Sequence, residues 1–451
     1  GVSTPVEPRR AAASGWGSRA GLDVTAVFTG YLFFLFAIPA TMIVAQLGTL
    51  GAPATILSLL ALVWYLWYHL HRAEPVLGGD SPVRRGGLLF GVVMLVVYGH
   101  AMTTFIPGAE VTNADSALLR ILGMLGIMLV LNDGINSVER WRTMLQRLSI
   151  AGAVIAVLAI LQFFTGQLWV DRISIPGLTP PVMPDGVGTR GQFTRPSATA
   201  TNAIEFGAVL SMFLPIAFTN AQTAVRHKLW NWVPVGLMGF AALVSLSRTA
   251  IICVAIGMAI LVPAWSRRAQ IQTLLATPVA VALAGVAVPG LLGTLRGLFL
   301  GAGEDSSVSS RTQSYGVAWS YIERHPFLGR GFSTFLPQYW ILDNAYLQVL
   351  IGCGFIGLAA LFVLIFCAGR SARLAQLRFR NPADALMARS LLAAVVAGSV
   401  SLFFFDAFGF PQSAGCLMMV FGLAGASLRL ARTSGDATAA PITEEQAAPR
   451  A

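Results

Sequence analysis

Residues 345–368, AYLQVLIGCGFIGLAALFVLIFCA, contain no charged side chain in 24 consecutive positions. Coiled as an α-helix at about 1.5 Å per residue, such a run crosses a hydrocarbon core of about 30 Å. Similar runs recur at 24–46, 52–70, 87–106, 115–132, 148–168, 204–222, 230–246, 249–265, 273–296, 384–405 and 410–431. The chain is 55% hydrophobic and 11% charged over 451 residues, far from a soluble composition. The pattern defines an all-α polytopic membrane protein of about 12 transmembrane helices. The first run has no convincing small-residue cleavage site and is followed at once by another, so it reads as a retained span.

Charge sets the expected orientation. The connections HRAEPVLGGDSPVRR, NSVERWRTMLQR, TAVRHK, SRRAQ and GRSARLAQLRFRNPAD are short and basic, as is the N-terminal segment with Arg9, Arg10 and Arg19. Arginine and lysine are retained on the cytoplasmic face, so these connections and both termini are expected inside. The alternate set contains GAPAT, PGAEVTNAD, the 246–249 turn, DAFGFPQ and two long loops, 167–203 and 299–343, all expected outside. Domain organisation follows: a disordered cytoplasmic segment 1–23, a membrane domain 24–431, and a polar, alanine-rich, disordered cytoplasmic tail 432–451. The net charge of +10 is an orientation signal with affinity for anionic membrane lipid. Its basic residues form no stripe or aromatic-interleaved patch, so no nucleic-acid partner is expected. Cys253, Cys353, Cys367 and Cys416 fall in or beside spans without metal-ligand spacing, and no metal or cofactor is expected.

Arginine on the outer side asks for an anionic partner there. Three motifs supply it. In GVGTRGQFTRPSATATNAIEFG, Arg190 and Arg195 precede Ser197, Thr199, Thr201 and Asn202, whose hydroxyl and amide groups suit sugar hydroxyls or phosphate oxygens. In SLSRTA, Arg248 stands in a hairpin so tight that it lies at the membrane boundary; the alternative is interfacial snorkelling. The third motif, 309–358, carries Arg311, a short amphipathic helix over Tyr315–Ile322 that ends at His325-Pro326, the glycine turn FLGRGF with Arg330, and Asp343-Asn344 before the next span. Asp343 reads either as a helix N-cap or as a carboxylate able to act as a base or to accept from sugar hydroxyls. Among the histidines, His69, His71 and His227 fall on the cytoplasmic side, His100 suits packing or snorkelling, and His325 is an alternative base.

In order and spacing these blocks resemble the O-antigen ligase/polymerase family of polytopic glycosyltransferases. The resemblance is carried within about 185–360 by RPSATATNAIEFG, by SRTA, and by HPFLGRGF followed by DNAYLQVLIGCGFIGL. It implies a GT-C-like fold in the bacterial plasma membrane and an extracytoplasmic active site. The implied reaction moves a glycan from a polyprenyl-diphosphate-linked oligosaccharide to a glycan acceptor hydroxyl, with inversion and without a metal or nucleotide sugar. Essential family arginines map onto Arg248 and Arg311. Where ligases place a histidine before the asparagine that opens the next helix, this chain has Asp343, which favours a polymerase over a ligase. The catalytic candidates are therefore Arg248, Arg311 and Asp343. The candidate substrate-binding residues are Arg195, Arg190, Asn202, Arg330, Asn344, Tyr346 and Trp319. A lipid or polysaccharide transporter is the reading from another class. It calls for an internal repeat and mid-membrane charge, whereas Arg120, Glu205 and Asp406 all lie near the ends of spans.

Overall fold

The computed structural model describes residues 23–71, 80–179, 188–190, 192–300 and 306–436. The expected disordered segment 1–23 falls almost wholly outside these, as does the tail beyond Asp436. The described chain is α-helical apart from a two-stranded hairpin, β1 (Thr189–Arg190) with β2 (Phe193–Thr194), and one isolated bridge between Ile43 and Thr179.

A helix occupies every one of the twelve apolar runs. Nine described helices have the length and apolarity to cross a membrane. They are α2 (Pro53–Leu70), α3 (Pro82–Met102), α4 (Gly108–Gly134), α5 (Val138–Thr165), α6 (Ala203–Thr223), α9 (Arg267–Ala287), α12 (Ala345–Arg378), α13 (Pro382–Ser401) and α14 (Pro411–Asp436). The remaining runs form the shorter helices α1 (Val24–Phe36), α7 (Lys228–Val244) and α8 (Arg248–Leu261). The chain is thus a multi-pass, all-α membrane protein. Two more helices, α10 (Leu291–Leu300) and α11 (Ser306–Ile322), lie between α9 and α12.

Several boundaries depart from expectation, each for a local reason. The run 24–46 is helical only to Phe36, because Pro39 follows and bars αR at the residue before it. The chain then folds back irregularly, with Ala40 N–H donating to Thr199 O at 2.8 Å and Ile43 N–H to Thr179 O at 3.0 Å. The run 273–296 breaks at Val288-Pro289-Gly290, where Gly290 has φ +88°, and so divides into α9 and α10. Helix α4 starts at Gly108 rather than 115, so most of the expected loop PGAEVTNAD is helical and carries Glu110 on its first turn.

Helix α14 is central. All of its span window is buried, and it packs against α4, α12, α6, α13 and α3. Helix α9 is the opposite case, with Ala284 its one buried residue and its flank left to lipid.

One end of the bundle is tied by polar side chains. Asp133 at the end of α4 accepts from Tyr65 Oη at 2.7 Å, from Asn132 Nδ2 at 2.6 Å and from Arg84 Nη1 at 3.1 Å. Arg142 of α5 makes a two-pronged pair with Asp384 of α13, at 2.6 and 2.7 Å. Arg429 of α14 reaches the carbonyls of Asn132 and Ile135. Asp23 before α1 pairs with Arg140, and Arg432 near the end of α14 donates to Asp80 O, so both ends of the described chain lie here. The opposite end gathers the connections that carry the sequence motifs.

Candidate active site

At that motif end the RPSATATN block is held rigidly, residue by residue. Gln162 of α5 grips Ala198 twice, accepting from its N–H at 2.8 Å and donating to its carbonyl at 2.9 Å. Ala198 sits at φ +54°, a backbone conformation that such a grip sustains. Thr199 Oγ1 accepts from Gln412 Nε2 at 3.0 Å. Asn202 is the N-cap of α6, its Oδ1 accepting from Ile204 and Glu205 N–H at 2.9 Å each. Glu205 reciprocates, taking Thr201 N–H with one oxygen and Gln412 and Ser413 N–H with the other. A buried carboxylate thereby joins the start of α6 to the start of α14.

Just before this block, the hairpin brings two arginines to one face. Arg190 pairs across the ladder with Phe193, while Arg195 follows β2 and donates its N–H to Gly188 O at 2.7 Å. Side chains alternate along a strand, so Arg190 and Arg195 project to the same side. Phe193 stacks on Phe163 of α5, with centroids 5.6 Å apart, and seats the hairpin on an apolar cluster. Val244 and Leu246 of the α7–α8 turn belong to that cluster, as do Leu291, Leu295 and Leu298 of α10.

The same cluster places Arg248. Leu246 turns the chain with φ +50°, Ser247 caps α8 with its Oγ 3.4 Å from Ala250 N, and Arg248 is the first helical residue. Its Nη1 donates at 3.3 Å to Leu298 O in the last turn of α10, where helix carbonyls lack internal partners. Burial, and then the like charges of Arg190 and Arg248, pull the Arg195 guanidinium below its ordinary value. Its Nε is buried without a hydrogen-bond partner. Arginines from two separate motifs therefore meet electrostatically, with Arg190 and Arg248 as like charges acting on Arg195.

Arg330 does different work. Its Nη2 pairs with buried Glu110 at 2.6 Å, and Glu110 also accepts from Tyr339 Oη at 2.6 Å. The guanidinium lies over the rings of Tyr321 and Tyr339, 5.5 and 5.7 Å from their centroids. The FLGRGF loop around it is spliced into a break in α12. Gly354 leaves helical geometry at φ 63°, ψ −167°, freeing backbone groups on both sides. Arg330 and Gly331 N–H donate to the carbonyls of Ile351 and Gly352, and the N–H groups of Phe355 and Ile356 donate to Pro326 and Phe327. Only glycine fits here: a Cβ on Gly354 would stand 2.3 Å from the Phe327 carbonyl, and one on Gly329 would stand 2.3 Å from Gly352. Irregular backbone within a span is tolerated where protein satisfies it, as this loop does.

The other candidates divide. Asn344, not Asp343, is the N-cap of α12, its Oδ1 accepting from Tyr346 and Leu347 N–H at 3.0 and 3.2 Å. Tyr346 is buried, stacked on Phe362 and packed at a tilt against Phe403, with its hydroxyl donating to Ser399 O at 2.8 Å. The contacts of Asn202, Asn344, Tyr346 and Arg330 are therefore those of framework residues. Trp319 is 54% exposed on α11, and His325 is exposed beyond its end. Arg311 lies on the backbone of α11, and its side chain is outside the described residues. Asp343 is half-buried and electrostatically coupled to Asp406, in the turn between α13 and α14. Asp406 also feels Arg120 of α4 and is hydrogen-bonded by Gln348 of α12. In the sequence, Arg120 and Asp406 stand out only as ionisable residues close to span ends.

The three-arginine group and the loop spliced into the α12 break thus lie at the same end of an all-α membrane bundle. Residues 233–362, from α7 through the α12 break, match the O-antigen ligase family model, which supports the O-antigen ligase/polymerase family. The match supports glycan transfer of the O-antigen ligase or polymerase type, with lipid-linked oligosaccharide and glycan acceptor as its general substrates. No curated protein matches the chain.

Proposed function

We propose that the chain transfers a glycan from an undecaprenyl-diphosphate-linked oligosaccharide to a saccharide hydroxyl at the extracytoplasmic face of the bacterial plasma membrane. The transfer is inverting and polymerises surface polysaccharide or O-antigen repeat units. The observation that carries this reading is the Arg190–Arg195–Arg248 group. A departing diphosphate concentrates negative charge beside a low-dielectric lipid phase. Guanidinium groups offer paired donors to its oxygens and keep their charge there. Set in place before the reaction, they stabilise the leaving group most where its charge develops. The buried Arg195 Nε gains the acceptor it lacks. Arg311 joins them from α11, and Asp343 lies on the acceptor side as a carboxylate for sugar hydroxyls. The catalytic domain spans 24–431, with both termini cytoplasmic.

The second reading is a ligase that delivers finished glycan to a lipid A-core or other acceptor, favoured by the description of the matched family. Reconstitution with the lipid-linked oligosaccharide separates the two. A ladder of products with that lipid as sole glycan source supports the polymerase. Transfer that waits for a separate acceptor supports the ligase. Movement of intact lipid between leaflets without a new glycosidic bond sinks both.

A further inference from the structure

Two buried polar atoms of opposite hydrogen-bonding character are left without partners in one neighbourhood at the motif end. Arg120 Nε is a donor and Asp406 Oδ1 an acceptor. The two residues act on each other electrostatically, Arg120 from α4 and Asp406 from the turn between α13 and α14. Gln348, on the second turn of α12, and Gly409 N–H hydrogen-bond the Asp406 carboxyl. Asp343, just before the Asn344 cap, is the second acid in range. The charged groups facing Asp406 are thus Arg120 and Asp343, one of each sign.

Buried polar atoms are rarely left unpaired, and the exceptions call for an explanation. A hydroxyl is both donor and acceptor, and so carries both kinds of partner that these atoms lack. We infer that Arg120 and Asp406 form the acceptor-hydroxyl site, with Asp406 taking the proton as the acceptor oxygen attacks. This rests on the transfer reading above and assigns its second substrate to residues other than the three arginines. In the step, the acceptor oxygen forms a bond to the anomeric carbon while the bond from that carbon to the phosphate oxygen breaks. The electron pair leaves with the diphosphate, and the hydroxyl proton passes to the Asp406 carboxylate. Burial and then Asp343 raise the Asp406 carboxyl to about 6, against Gln348, Arg120 and Gly409, so it is an ionised base at neutral pH that binds a proton readily.

A purely structural ion pair makes opposite predictions. Wild type, Asp406→Asn, Asp406→Glu and Arg120→Gln are compared in nanodiscs. The donor is the undecaprenyl-diphosphate oligosaccharide, and the acceptor probe is the same oligosaccharide released from its lipid. Asp406→Asn lowers transfer on the order of 100-fold or more and removes the rise in rate between pH 5 and 7. It retains binding of undecaprenyl diphosphate and has a Tm at pH 7.5 no lower than wild type. Asp406→Glu recovers part of the rate, and Arg120→Gln raises KM for the acceptor and not for the donor. If wild type transfers glycan and Asp406→Asn keeps its rate, acceptor KM and pH profile, the inference is overturned. It is overturned equally if the loss comes with a lowered Tm or lost undecaprenyl diphosphate binding. If wild type transfers nothing, the transfer reading fails by itself. Binding of the released oligosaccharide then decides the site: loss on Asp406→Asn supports it, and unchanged or undetectable binding overturns it.

Discussion

Arg195 shows how much a single placement can reveal. A half-buried guanidinium beside two others opposes folding, and a solvated loop arginine would have avoided that cost. Arg195→Ala, Arg248→Ala and Arg311→Ala are each expected to cut kcat/KM by about 100-fold, roughly 3 kcal/mol in the barrier, while insertion into the membrane is preserved. Near-normal rates in reconstituted membranes would remove the residue concerned from the site. Asp406 carries the same conflict. Its pKa rises from 3.8 to about 6 on folding, so the folded state binds the proton more tightly than the unfolded state. The stability this contributes is complete below about pH 4 and is lost as the pH rises through 6. Asp406→Asn should regain on the order of 2–3 kcal/mol at neutral pH, seen as a higher Tm at pH 7.5 and little change at pH 4. An equal drop at both pH values would contradict that sign. The grouping of Arg190, Arg195 and Arg248 was suggested by the sequence because arginines outside the short basic connections are conspicuous. The roles of Asn202, Asn344 and Tyr346 were not, since a cap, a stacked ring and a ligand contact share the same residue types and differ only in what stands opposite.

Among the elements, each of the twelve apolar runs holds a helix, and nine described helices have the length and apolarity of a span. What hydropathy could not see were the interruptions. Pro39 shortens α1, Pro289-Gly290 divides α9 from α10, and Gly354 breaks α12 without any loss of hydrophobicity. The α12 break matters most, because the large loop is attached through four backbone hydrogen bonds made possible by it. Gly354→Ala and Gly329→Ala force a Cβ into left-handed backbone and into a carbonyl or peptide group 2.3 Å away. Each should release the 326–331 segment, read as rapid proteolysis there and as loss of transfer, with α14 still protected. Arg330→Ala leaves Glu110 buried without its cation, at a cost of about 3–5 kcal/mol. A thermal shift in detergent measures it; a change below about 1 kcal/mol would show that Tyr339 alone satisfies Glu110.

Across the whole molecule, the two ends of the bundle differ in kind. One is cross-linked by Asp133, Arg142–Asp384 and Arg429, while the other collects the hairpin, the α7–α8 turn, the spliced loop and the α13–α14 turn. From the alternation of short basic connections we propose that the first end faces the cytoplasm. Single cysteines at 189 and 324, in a background lacking the four native cysteines, should react with an impermeant maleimide applied from outside, and one at 139 only after permeabilisation. The reverse pattern would put the arginine group in the wrong compartment for a lipid-linked donor.

Helix α14, enclosed on every side, comes after all the helices that surround it in chain order. Those earlier helices must therefore wait in the bilayer with an empty slot lined by α4, α6, α12 and α13, and the assembled form closes only when α14 drops in. A nascent chain stopped short of residue 411 would consequently remain an open ring of helices, exposed to membrane quality-control proteases whatever the state of its arginines.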